Sequence, residues 1–382
     1  MRILGSLIVI LAFALQSQAQ ETYKEKKIVE SDNLYVGAKA YSVKKYPQKT
    51  KSNKPKNIIF MIGDGMGVSQ VYAGFTANGG HLFLENCPFT GFAKTTSADS
   101  YVTDSAASGT ALSTGTKTYN GALGVDVDTI PLKTILEEAE ERGLATGLVS
   151  TSAITHATPA SFIAHQKSRG SYEAIAADFL KTDIDVFIGG GYKHFTERAD
   201  GQDLTLNLKA NGYQVLQDMK AVSKVKKGKL AGLVAYQHTP RVEKRGDMLP
   251  VATKTAINIL DNDEDGFFLM VEGSQIDWAG HQNSTTYLVE EMLDFDKAIG
   301  NALKFAAKDG ETLVVITADH ETGAFAVLGG DLNTGETKAA FASKSHSAVM
   351  VPVFAFGPGA ENFTGIMDNT DLNKKMKTLL FK

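Results

Sequence analysis

Three short runs, at residues 57–62, 267–271 and 313–318, are apolar without the in-and-out alternation of a half-wetted strand. Strands of that kind are buried on both faces, which a mostly parallel sheet covered by helices provides. With amphipathic stretches between them, the chain is expected to form an α/β fold, a three-layer α/β/α sandwich around a large, mostly parallel sheet. Each run also ends in chemistry. The first closes on Gly63-Asp64-Gly65-Met66-Gly67, the second on Glu272-Gly273 followed by Asp277 and His281, and the third on Asp319-His320-Glu321. An open parallel sheet gathers the carboxyl ends of its strands along one edge, so these groups are expected to meet there. The glycine turn at Asp64 is not read as a dinucleotide loop. Its spacing is Gly-x-Gly-x-Gly, and a carboxylate inside it would repel pyrophosphate, so Asp64 is read as a metal ligand.

Further strands are expected at 90–96, 146–150, 185–188 and 351–356. Helices are expected at 131–142, where Leu132, Ile135, Leu136 and Ala139 share a face, through 165–169, and at 251–260, 284–308 and 372–380. Residues 328–343 read as a mobile segment that delivers Lys344-Ser345-His346-Ser347. Residues 20–56 read as an extended N-terminal arm and 57–382 as one α/β domain, with a polar, Lys-rich rim insertion at about 192–250.

The chain has 382 residues, 43% of them hydrophobic, enough to bury a full core without staples. Its single cysteine, Cys87, cannot pair within the chain. A net charge of −4 supplies no general basic field, so nucleic-acid binding as a module is not expected. Met1-Arg2, an apolar run from Ile3 to Leu15 and then Ser17-Gln18-Ala19 read as a signal peptide over residues 1–19. That predicts a periplasmic or secreted protein. The run is shorter than the roughly 20 residues a spanning helix needs, so no stable membrane anchor is expected.

Between the first two runs lies Thr103-Asp104-Ser105-Ala106-Ala107-Ser108-Gly109. The small residues after Ser105 suit the first turns of a helix, which would put its hydroxyl where unpaired N–H groups and the positive dipole end meet an anion. A plainer reading is that Thr103, Asp104 or Ser105 only caps that helix. The company it keeps favours a nucleophile. Four of the eight histidines (His156, His281, His320 and His346) lie in loops beside Asp, Thr or Ser rather than on apolar faces. Asp277 and His281, four residues apart, would point the same way on one helical turn. Histidine nitrogen with carboxylate oxygen and no thiolate suits a catalytic Zn²⁺, and an all-oxygen set of Asp, Thr and Glu suits Mg²⁺. Arg169, read alone as a helix-end cation, could grip two phosphoryl oxygens with its planar fork.

Asp64-Gly65-Met66-Gly67, the run Tyr101 through Ser108, the run Ser113 through Asn120, Glu272-Gly273 with Asp277 and His281, and Thr317-Ala318-Asp319-His320 together resemble the secreted alkaline phosphatases, in the same order over nearly all of the chain after Pro55. The resemblance implies an exported, metal-dependent phosphatase that hydrolyses small-molecule phosphate monoesters in two displacements. Ser105 is then the phosphorylated nucleophile and Arg169 the phosphate clamp. It further implies two Zn²⁺ and one Mg²⁺ per chain. Asp277, His281 and His346 would hold the first zinc, Asp64, Asp319 and His320 the second, and Asp64, Thr158 and Glu272 the magnesium. His156 and Trp278 depart from the enteric bacterial pattern, which has Asp and Lys there, and are closer to animal and cold-marine members. An imidazole favours Zn²⁺ more than an oxygen cage does, so weaker magnesium retention is expected. Related enzymes are often homodimers, and the subunit count is left open. Three rivals stand beside this reading: a phosphodiesterase on the same scaffold, a sulfatase, and a non-catalytic phosphate- or zinc-binding protein. A sulfatase would need a Cys/Ser-x-Pro-x-Arg run, which neither Ser105 nor Cys87 begins.

Overall fold

The computed structural model describes residues 30–37 and 39–381; the expected signal peptide lies outside the described residues. The apolar runs become strands of one 10-stranded sheet. Across the sheet the order is Gly365–Asp368, Phe89–Lys94, Val351–Phe356, Thr312–Thr317, Asn57–Gly63, Phe267–Gly273, Ala145–Ala153, Val186–Gly190, Leu230–Ala235 and Gln214–Leu216. Only Val351–Phe356 runs against its neighbours, and every other pair is parallel. Asn57–Gly63, Phe267–Gly273 and Thr312–Thr317 are buried at every residue, as runs without alternation require. Successive side chains leave a strand on opposite faces. Phe267 accordingly meets Phe305 of helix Thr285–Asp309 at 5.9 Å between ring centroids, while Phe268 meets Phe162 at 6.1 Å on the other side. Both faces are covered, and the fold is the expected α/β architecture.

Four adjacent strands end together. Ile62 lies level with Glu272 and with Thr317, and Ser150 lies level with Glu272 on its other side. The segments that follow these strands, carrying Asp64, Asp277, Asp319 and His156, therefore leave the sheet along one edge.

Three local expectations are corrected. The helix expected from residue 131 is Ile135–Glu141, because Thr134 and Glu137 form a reciprocal capping box, with Glu137 N donating to Thr134 Oγ1 at 3.1 Å and Thr134 N to Glu137 Oε2 at 2.9 Å. Residues 165–169 are not helical. Leu123 and Gln166 exchange two backbone hydrogen bonds of 2.9 Å, and those donors are lost to any helix. Residues 328–343, expected as an irregular mobile segment, are mostly regular strand. Residues 328–341 lie within the antiparallel hairpin of Phe325–Asp331 with Glu336–Phe341, closed where Gly335 N donates to Asp331 O at 2.8 Å with Gly335 at φ +74°.

Residues 192–250 contain short helices and the two strands that extend the sheet at one edge. The arm runs along helix Thr285–Asp309: Asp32 Oδ2 accepts from Ser284 Oγ at 2.6 Å at its start, the Tyr41 hydroxyl donates to Asp296 Oδ2 at 2.6 Å in its middle, and Lys51 N donates to Gly310 O at 2.9 Å beyond its end. Among the described residues, no helix is long and apolar enough to cross a membrane.

Candidate active site and metal centre

Helix Ser105–Thr114 starts behind Asp104, whose Oδ1 accepts from Ala107 N at 2.9 Å. Capping is thus the work of Asp104, and Ser105 is the first helical residue. Its side chain is buried, with Oγ 3.3 Å from Nε2 of His320 and only 2% of the residue exposed. Asp104 has a second task. Its Oδ2 takes Nη1 of Arg169 at 2.9 Å, which fixes the guanidinium beside the residue that precedes the hydroxyl. Burial works against the charge of Asp104, but Arg169 and the backbone donors hold its carboxyl below the usual range.

Around this hydroxyl, three sets of side chains each bring nitrogen and oxygen atoms within 4.8 Å of one another: Asp277, His281 and His346; Asp64, Asp277 and His320; and Asp64, His156 and Glu272. Asp319 joins the second set, with Oδ2 3.2 Å from His320 Nε2. Thr158, in the short helix Ala157–Ala160, stands beside Glu272 in the third.

The chemistry of these groups fits divalent cations. His281 and His346 direct Nδ1 at the carbonyls of Lys344 and Thr103, at 2.5 and 2.9 Å. A carbonyl can only accept, so each Nδ1 donates and each ring turns its Nε2 inward. The two Nε2 atoms lie 3.2 Å apart and 3.2 and 3.4 Å from Asp277 Oδ1. Two ring nitrogens and a carboxylate oxygen this close form a donor set that a divalent cation can take. Both oxygens of Asp64, Oδ2 of Asp319 and Oε1 of Glu272 are buried without a hydrogen-bond partner. Burial first, and neighbouring carboxylates second, push Asp64 well above the usual carboxylate range and Asp319 up to about 7. Asp277 goes the other way. Burial again opposes its charge, but His281 and His346 outweigh it and hold the carboxyl well below that range.

A sequence model of the family described as alkaline phosphatase matches residues 55–340. The chain belongs to the alkaline phosphatase family. It is similar to alkaline phosphatase 3 of Bacillus subtilis, with 41% identity over 87% of this chain and 73% of that protein. It is similar also to the alkaline phosphatase of Escherichia coli, with 36% identity over 86% of this chain and 87% of that protein. Among solved structures, the alkaline phosphatase of the Antarctic bacterium TAB5 superposes with a TM-score of 0.81 at 42% identity, covering 87% of this chain and 99% of that one. A histidine-to-aspartate variant of the TAB5 enzyme, with magnesium bound in its M3 site, superposes equally well, with a TM-score of 0.81 and 41% identity over the same shares of the two chains. Membership of this family and the ligand sets above make this chain a metal-binding enzyme.

In this alkaline phosphatase the sequence-predicted residues come together at one sheet edge, but several groups that hold them escaped sequence reasoning. Asp104, quoted only as a cap, holds Arg169 from 65 positions away. Thr322 accepts from His320 Nδ1 at 3.2 Å and donates to Asp277 Oδ1 at 2.5 Å, so one hydroxyl orients ligands of two sets. Ser150 and Ser274 donate to Glu272 Oε2 at 2.7 and 2.6 Å, which turns Oε1 toward Asp64. His238 stands edge-on to His156 and Trp278, with ring centroids 5.5 and 4.8 Å away. Burial keeps its ring neutral, with a pKa lowered to about 4. Glu321, adjacent to two ligands in sequence, turns away to accept from Gln70 Nε2 at 2.8 Å and Phe325 N at 3.0 Å. Hydroxyls and a lone histidine scattered along the chain carry no spacing signal.

Proposed function

We propose that this chain is an exported phosphatase that hydrolyses phosphate monoesters to alcohol and phosphate through a phosphoserine on Ser105. The observation that carries the reading is the placement of Ser105 Oγ, 3.3 Å from His320 Nε2 at a helix start, with three ligand sets around it and Arg169 held beside it. Asp277, His281 and His346 would hold one zinc ion, Asp64, Asp319 and His320 a second, and Asp64, Thr158 and Glu272, with His156 beside them, a magnesium ion. Divalent cations bound there would lower the pKa of the seryl hydroxyl and neutralise phosphoryl charge. Ser105 Oγ bonds to phosphorus as the ester oxygen departs with its electron pair, and water then breaks the Oγ–P bond and releases phosphate. Arg169 binds two phosphoryl oxygens in a fork that Asp104 keeps in plane. Backbone N–H groups of the first helical turn face the same anion. Export follows from residues 1–19 as a signal peptide.

The reading is tested by comparing kcat/KM for an aryl phosphate and a bis-aryl phosphate. The monoester is expected to be preferred by at least about 100-fold, since a diester lacks one of the anionic oxygens this site is built to hold. A preference for the diester would replace the monoesterase reading by the phosphodiesterase one.

The third site carries its own expectation. An imidazole at His156 beside Asp64 and Glu272 is a poorer partner for Mg²⁺ than a carboxylate. His156→Asp is expected to tighten Mg²⁺ by about 10-fold, read by calorimetric titration of protein already loaded with zinc. Equal affinity in the two proteins would remove His156 from the magnesium site.

A further inference from the structure

The loop that carries Arg169 is anchored at its start by a charged histidine. His165 Nδ1 lies 2.7 Å from Gly124 O, and its Nε2 lies 2.7 Å from Glu137 Oε1. A carbonyl accepts only, and so does an ionised carboxylate. Glu137 is ionised: burial opposes this, but His165 and Thr134 hold its carboxyl below the usual range. Both nitrogens of His165 must therefore donate, and a ring that donates twice is an imidazolium. Burial draws the His165 pKa down, but the bonds to Glu137 and Gly124, helped by Asp178, outweigh it and raise the value.

The ring joins three segments that are distant in sequence. Glu137 belongs to helix Ile135–Glu141, Gly124 to the irregular strip 121–124, and His165 to the loop that ends at Arg169. Glycine is needed at Gly124, where φ is +57° and a Cβ would stand 2.9 Å from His165 Nδ1 and 2.3 Å from Ala164 O. The strip then connects to the site on two sides. Gly124 N donates to Thr110 Oγ1 at 3.0 Å, and Gly121 N to Asp104 Oδ1 at 3.1 Å, which ties the strip to the helix that begins at Ser105. Leu123 pairs with Gln166, and Arg169 N donates to Gly121 O at 2.7 Å, which ties the strip to the arginine. His165 N and Gln166 Nε2 both donate to Asp178 Oδ2, at 3.2 and 2.7 Å, fixing the loop from its outer side.

We propose that His165 is a positioning residue for phosphate binding: its doubly donating ring pins the loop 165–169 onto Gly124 and Glu137, and so sets where Arg169 meets the phosphoryl group. The inference rests on the reading of Arg169 as the phosphate clamp. His165 opens the loop and acts only through the arginine. Misplacing a charged fork by a fraction of its hydrogen-bond length weakens its hold on phosphate, while the residues proposed to hold zinc, carried on other segments, are unaffected.

The experiment is a double-mutant cycle on the metal-loaded enzyme with inorganic phosphate as probe. The inhibition constant of phosphate is measured for wild type, His165→Gln, Arg169→Ala and the double variant, together with zinc content and Tm. His165→Gln is expected to raise the constant by roughly tenfold at unchanged zinc content, and to add nothing in the Arg169→Ala background. Glu137→Gln, which keeps the ring and weakens its anchor, is expected to act in the same direction, and it carries the test if His165→Gln fails to fold. Nitrogen-15 shifts of the His165 ring at pH 7 are expected to show both nitrogens protonated. If Arg169→Ala raises the constant but neither His165→Gln nor Glu137→Gln does, or if their factors persist without the arginine, the positioning role is wrong. If Arg169→Ala leaves the constant unchanged, the clamp reading itself fails.

Discussion

Ser105→Ala is expected to lower kcat for an aryl phosphate by at least about 1,000-fold while zinc and magnesium content stay the same. The expectation is sharp because Ser105 has little structural work to lose. Asp104 caps helix Ser105–Thr114, so the first turn keeps its hydrogen bond to Ala107 N, and alanine is the better helix former. The contact removed is the one at 3.3 Å to His320 Nε2, and that ring stays oriented through Thr322. Loss of turnover at constant metal content therefore reports chemistry and not collapse. Elemental analysis of both proteins supplies the control, and a phosphorylated species trapped by acid quench should appear in wild type alone. Equal turnover in the two proteins would remove the phosphoserine mechanism, and absence of turnover in both would leave a binding protein.

Metal removal should change stability as much as activity, and the loss should grow with pH. A carboxyl whose pKa is raised in the folded state holds a proton that the unfolded chain has already released. For Asp319 the window runs from the ordinary value of 3.8 up to about 7, and Asp64 is raised in the same direction. Stability of the metal-free protein should therefore fall as pH rises through that window. Asp277 contributes with the opposite sign: its depressed carboxyl stabilises above the ordinary value, and that contribution is lost as pH falls below it. Cations bind the deprotonated ligands, so loaded enzyme should be insensitive to the same rise. Thermal unfolding from pH 5 to pH 8, with and without chelator, is expected to give Tm curves that diverge toward alkaline pH by an amount worth several kcal/mol. Zinc and magnesium restored separately then show which ion recovers Tm and which recovers hydrolysis. Coincident curves at pH 8 would mean that the clustered carboxylates are not held by metal.

Much of this was written locally. The unbroken apolar runs at Asn57–Gly63, Phe267–Gly273 and Thr312–Thr317 require burial on both faces, and a sheet of such strands collects their carboxyl ends. Asp64, Glu272 and Asp319 stand at or just past those ends, so the carboxylates could be read without any long-range contact. The pair Asp277 and His281 is one turn of helix Gln275–Gln282, again a local spacing. Arg169 was legible as a phosphate-binding type of residue, but its placement was not. The segment before it looked helical in isolation and is instead paired through Gln166 with Leu123, because backbone bonding to a distant strip outweighed a weak helical propensity.

Periodicity, capping and end-of-strand chemistry act over a few residues, and they determined the central strands of the sheet, the helix that presents Ser105 and the carboxylates at the strand ends as candidate ligands. Orientation was decided only in three dimensions. Asp104 aims Arg169, Thr322 couples His320 to Asp277, Ser150 and Ser274 turn Glu272, and Glu137 with Gly124 fixes the charge on His165. Most of these are hydrogen bonds between groups far apart in sequence, and their energy exists only once the packed sheet has brought the partners within 3 Å or so and excluded the water that would otherwise satisfy them.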